Sequence, residues 1–144
     1  MVYADINLNL IDGSAVWLAS LTEMLSLDPD IHVHVLLKTP LKEKRLIKNI
    51  IQKPNISFID PWSMDGNFLV KRALLQVPEA RLDTETAAAI IGIIFDTLNP
   101  DKIIIRGKDV LYRLSGDPLI SKKIIAYITN PPSYSNFSDM QRLL

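Results

Sequence analysis

The sequence contains no cysteine. That excludes a disulfide scaffold, a cysteine-ligated zinc site and a thiol nucleophile. It has no net charge either, since 16 Lys and Arg balance 16 Asp and Glu. The balance does not average two unlike halves: residues 1–72 and 73–144 each carry eight basic and eight acidic side chains. Neither half is a basic arm for nucleic acid or an acidic tail. No basic segment precedes an apolar run near the start, so no secretory signal is read. The longest mostly apolar stretch, residues 87–95, covers nine positions, whereas a spanning helix needs about 20. A cytoplasmic location is therefore expected. G-x-G-x-x-G and G-x-x-x-x-G-K-[ST] are both missing, which argues against a nicotinamide dinucleotide site and against P-loop chemistry. No cofactor is expected.

What is present is a chain of 144 residues, 48% of them hydrophobic. That suffices for one domain burying roughly 68–70% of its unfolded surface. Residues 2–9 alternate apolar and polar, the period of a strand. Asp12-Gly13 marks a turn. Trp17, Leu18, Leu21, Met24 and Leu25 then recur at helical spacing, with Asp12 or Ser14 able to cap the start. Residues 31–37 read as a second strand. Residues 42–53 read as a helix with five basic side chains and an apolar seam of Leu46, Ile47, Ile50 and Ile51. Residues 56–59 are a short strand, and residues 68–77 a helix ended by Pro78. The next helix is capped by Asp83 and is apolar nearly all round, which predicts burial. Residues 102–106, with three isoleucines, predict a strand covered on both faces. Residues 110–114 form a short helix and residues 124–128 a further buried strand. This alternation predicts an α/β fold: a three-layer, Rossmann-like, doubly wound, mostly parallel sheet of order 3-2-1-4-5, as a single domain over residues 1–144.

Such sheets bind ligands beyond the carboxyl ends of their strands, where the strand order reverses. The crevice then falls between the first and fourth strands. Asn9, Asp12, Gly13 and Ser14 line it from the first strand, Arg106 and Gly107 from the fourth, and Thr129 and Asn130 from the fifth. The amides that open the first helix suit an anion or a sugar hydroxyl, though a turn plus an N-cap explains Asp12-Gly13-Ser14 equally well. Arg106 can grip a phosphate or carboxylate with two donors, or simply pair with a nearby Asp. His32 and His34 share a strand face, but nothing supplies a third ligand and a polar outer face explains both, so no metal is expected. The basic stretch 42–53 reads as a solvated face that could also rest on anionic lipid. Asn130-Pro131-Pro132 is an exit turn or a cis bond shaping the crevice.

The loop Asp12-Gly13-Ser14 leading into Trp17-Leu18 resembles the N-terminal unit of GT-B glycosyltransferases of the group 1 (family four) type. Residues 86–107, a helix followed by an apolar strand with the polar tip Arg106-Gly107, fit the same pattern. So do residues 123–130, except that Asn130 stands where the family usually has His. The family's double glycine in the first loop is reduced to Gly13. The resemblance implies a hexosyltransferase-like enzyme that moves a sugar from a nucleotide-sugar donor to an acceptor hydroxyl. The chain would be its acceptor-binding half, a fragment lacking the C-terminal donor domain and inactive alone. Asp12 is then the candidate base, and Asn9, Gly13, Ser14, Arg106, Gly107, Thr129 and Asn130 bind acceptor or donor phosphate. The implied partners are the nucleotide sugar and a carbohydrate or lipid-linked acceptor, with no nucleic acid and with contact at the inner membrane face. Two other readings stay open. One is a receiver-like signalling module with Asp60 as phosphoacceptor. The other is a Rossmann-like domain used only for association.

Overall fold

Valine and isoleucine fill five short runs, and these become the strands. The computed structural model describes residues 1–63, 67–75, 77 and 79–129. Within them β1 (Val2–Ala4), β2 (Val33–Leu36), β3 (Ile56–Ile59), β4 (Ile103–Arg106) and β5 (Ile124–Ala126) form one sheet of order β3-β2-β1-β4-β5. All four pairings are parallel. The three central residues are in register, with Tyr3 beside Leu36 on one side and Ile105 on the other.

Both faces are covered, as a parallel sheet requires. On one face Val2, Ala4, Val33 and Val35 pack with Leu18 and Ala19 of α1 (Gly13–Leu25) and with Ile47 and Ile50. On the other, Tyr3, Leu36, Ile103 and Ile105 pack with α2 (Phe68–Leu74), α3 (Thr84–Leu98) and α4 (Lys108–Leu114). Caps define the helix starts. Asp12, Asn67 and Asp83 each accept a hydrogen bond from the backbone N–H three residues on, which satisfies amides a helix leaves orphaned. Asn99, left-handed at φ 43°, closes α3 just before Pro100.

Several boundaries differ from those the sequence predicts. The first strand stops at Ala4, not Asn9. Asp5 N–H still donates to the Arg106 carbonyl, but Ile6 N–H turns back to the Ala4 carbonyl and the chain leaves the sheet. Ile6 and Leu8 remain buried, so the alternation marks burial beyond the ladder. Residues 42–53 form no α-helix, only a 3₁₀ turn at Arg45–Ile47 and further turns. Side chains capture the backbone there: Asn9 Oδ1 accepts from Lys42 and Glu43 N–H, and Glu43 accepts from Lys44 and Arg45 N–H. These amides are ones a helix starting here would leave orphaned; the chain beyond them closes through tight turns, with Ile47 N–H bonded to the Lys44 carbonyl and Ile50 N–H to the Ile47 carbonyl. The apolar seam nevertheless points inward, with Ile47 and Ile50 buried. α3 is not buried all round, because Ala89 and residues 96–98 are exposed. The fifth strand is not buried either. β5 closes the sheet, and its Ile125 is 47% exposed because an edge strand has a neighbour on one side only. An additional short helix, α5 (Pro118–Ser121), forms where Asp117 caps a first-turn proline.

Candidate functional site

β1 and β4 lie side by side, yet the crossover after β1 passes over one face and those around β4 over the other. Their carboxyl ends at the centre of the sheet are therefore where folds of this kind bind ligands. Along β4, Ile103 and Ile105 pack into the α3 side, so Ile104 and Arg106 turn to the α1 side. There Arg106 Nη2 donates to Ser14 Oγ at 3.1 Å, at the start of α1. The guanidinium lies over the Trp17 ring, 4.8 Å from its centroid. Trp17 in turn meets Tyr127 beyond β5, with ring centroids 4.4 Å apart and planes tilted by 39°. Ring, hydroxyl and cation fix one another: the guanidinium cannot swing out without losing both the ring face and the Ser14 bond. Arg106 Nη1 is buried and has no hydrogen-bond partner among the described residues. A buried unpaired donor costs about 1–3 kcal/mol, more when charged.

The other residues predicted from sequence divide into two groups. Gly107 belongs to the crevice. It caps α4 at φ 154°, a conformation side chains resist. A Cβ placed there lies 3.4 Å from Asp5 Cβ. Gly13 opens α1 with nothing within 4 Å of where its Cβ would stand. Asp12 is engaged as the α1 cap, its Oδ1 accepting from Ala15 N–H at 2.8 Å. Asn9 turns away from the crevice toward residues 39–43. Its amide donates to Thr39 Oγ1 and to the Asn7 and Pro40 oxygens, and its Oδ1 takes two backbone N–H groups. Every donor and acceptor of that side chain is occupied within the protein. Thr129 is exposed. Asn130 and the two prolines after it lie outside the described residues.

Two residues that the sequence reading passed over stand at the same edge. Lys38, just past β2, is 6% exposed and ion-paired with Asp5 Oδ1, just past β1. Asp5 itself is 54% exposed. Reading residues 2–9 as one strand put Asp5 on a solvated outer face. Placing the strand end at Ala4 would have put it at the crevice. Lys38 carries the same signal as Arg106, a cation directly after a buried apolar strand. Below them Tyr3 is fully buried with an unpartnered hydroxyl. Burial first, and the Asp5 carboxylate second, push its phenol far up, so the hydroxyl keeps its proton.

His34 is engaged across the sheet. Its Nδ1 shares a hydrogen bond of 2.6 Å with Ser57 Oγ, and no cluster of three His, Asp or Glu occurs among the described residues. Burial, then the chain's amino group and His32, lower its pKa. A groove of about 410 Å³ lies elsewhere, against β3, between Leu37, Leu41, Ile51 and Phe58, with Lys44 and Asp60 at its rim. It holds neither the Tyr3 hydroxyl nor Arg106 Nη1, so the chemistry favours the central crevice. Asp60 is also poorly placed for a receiver module. Receiver-type sheets run 2-1-3-4-5, with the third strand beside the first. Here β2 separates β3 from β1, and the Asp60 carboxylate accepts from Trp62 N–H.

Among the described residues no helix is long and apolar enough to cross a membrane. Comparison with known proteins gives no match to any family model, to any curated protein or to any solved structure.

Proposed function

We propose that this domain binds an anionic carbohydrate in the crevice between β1 and β4, as the acceptor-binding half of a glycosyltransferase that uses a nucleotide-sugar donor. The observation that carries the reading is the buried, unpartnered Nη1 of Arg106, fixed by Ser14 and Trp17. A phosphate or carboxylate on the acceptor pairs with that donor in a charge-assisted hydrogen bond. The first-turn amides of α1 add their positive end at the same place. Tyr127, 42% exposed, offers an aromatic wall beside it. Transfer then needs only that the acceptor hydroxyl be held in line with the donor's anomeric carbon. In this reading Lys42, Lys44, Arg45 and Lys48, all exposed, lie on the outer side of the domain, where a lipid-linked acceptor at a membrane surface would approach.

Trp17 is a built-in reporter. In a Trp62→Phe background its fluorescence is titrated with inorganic phosphate and with glucose 1-phosphate. Saturable change with either anion, weakened about tenfold or more by Arg106→Gln, supports the crevice. No change with any anion overturns it. Sugar transfer from a nucleotide sugar by these 144 residues alone would overturn the half-enzyme part of the reading.

A further inference from the structure

We propose that Asp5, held in place by the buried ammonium of Lys38, reads the hydroxyl groups of the bound molecule, so that the crevice takes a polyhydroxylated anion in preference to a bare one. This rests on the anion crevice described above and names the second half of its specificity.

Three observations converge. First, Asp5 is tied to the crevice by backbone: its N–H donates to the Arg106 carbonyl at 2.8 Å. The two residues thus stand on adjacent strand ends, with Gly107 directly beside Asp5. Second, their side chains leave on opposite faces. Arg106 goes to the α1 side with Ser14. Asp5 follows Tyr3 to the α3 side, where it meets Lys38. A molecule resting across side-chain-free Gly107 has a cation on one flank and a carboxylate on the other. Third, the ion pair is lopsided. The lysine is buried and the aspartate is more than half exposed. Lys38 is therefore not the group that meets a ligand; it orients the group that does. It takes Oδ1 and leaves Oδ2 to accept.

A carboxylate accepts from hydroxyls in strong, charge-assisted bonds but repels a bare anion. The pair therefore discriminates by what accompanies the anion, not by the anion itself. Inorganic phosphate gains from Arg106 and loses near Asp5. A sugar phosphate gains from both.

The test compares inorganic phosphate with glucose 1-phosphate by Trp17 fluorescence, in the Trp62→Phe protein and its variants. The expected result is a preference for the sugar phosphate of about tenfold. Asp5→Asn should abolish the preference while retaining phosphate binding. Because Asp5→Asn strands a buried ammonium, the Asp5→Asn/Lys38→Met double variant is measured beside it, with folding checked by circular dichroism. Retained preference in the folded double variant overturns the role of Asp5 and leaves the Arg106 crevice standing. Equal affinity for the two anions in the parent does the same. Absence of binding by both anions overturns the crevice and this inference together.

Discussion

Arg106 and Trp17 are stacked, the guanidinium carbon 4.8 Å from the ring centroid, although 88 residues separate them in the chain. Cation–π pairs of this kind contribute about 0.5–2 kcal/mol. A double-mutant cycle of Arg106→Gln and Trp17→Leu, followed by urea unfolding, should give a coupling energy in that range. Zero coupling would mean that the ring does not hold the guanidinium in solution.

The Asp5–Lys38 pair should respond asymmetrically to truncation. Asp5→Ala strands a buried ammonium and should cost about 1–3 kcal/mol. Lys38→Met leaves a carboxylate that water already reaches, and should cost well under half as much. Equal costs, or the reverse order, would show that burial of Lys38 is not what sets the balance.

Two glycines should part company. Gly107→Ala forces a side chain onto a backbone at φ 154° and should destabilise by about 1–3 kcal/mol. Gly13→Ala places a methyl in open space at the start of a helix and should be neutral or slightly stabilising. Thermal unfolding of the two variants decides.

Asp12 can be tested for more than capping. Asparagine caps as well as aspartate, whereas alanine costs about 1 kcal/mol. Asp12→Asn should therefore unfold like the parent and Asp12→Ala earlier. If Asp12 also serves as the base in a complete transferase, Asp12→Asn should abolish turnover at unchanged stability. Full turnover would confine Asp12 to its cap.

His34 gives the protein an acid-sensitive element. Its pKa falls below its ordinary 6.5 on folding, so the unfolded chain binds the proton more tightly. The stabilisation is complete above about pH 6.5 and is lost as the pH falls through the lowered value. Urea midpoints should drop between pH 7.5 and 5.5, and His34→Gln should flatten part of that slope. An unchanged slope would assign the dependence to other groups.

The sequence allowed the whole sheet to be drawn in order, because isoleucine and valine runs separated by capped helices admit few topologies. Arg106 was legible for the same reason: a charge after three isoleucines must surface at a strand end. Asp5 was hidden by its neighbours. Ile6 and Leu8 continue the alternation of β1 and are buried, so nothing local reveals that the ladder stops at Ala4. The missing helix at 42–53 has a similar cause. Its seam is helical in spacing, but the chain there closes through tight turns, with Ile47 N–H bonded to the Lys44 carbonyl and Ile50 N–H to the Ile47 carbonyl. Periodicity reports which side chains go inside. It does not report how the backbone between them is bonded.

The order of the strands also sets a timetable. β1, β2 and β3 are neighbours in sequence and in space, and can assemble from the first part of the chain alone. β4 can dock on β1 only after α2 and α3 have been made. Long-range parallel pairing of this sort is slow, because loop-closure entropy is spent before contacts return it. The crevice lies on that long-range seam. Until β4 arrives, Val2–Ala4 is an open sheet edge, and Arg106 has not yet met Ser14 or Trp17. A molecule that bridges Asp5 and Arg106 would therefore grip both sides of that joint and slow its reopening.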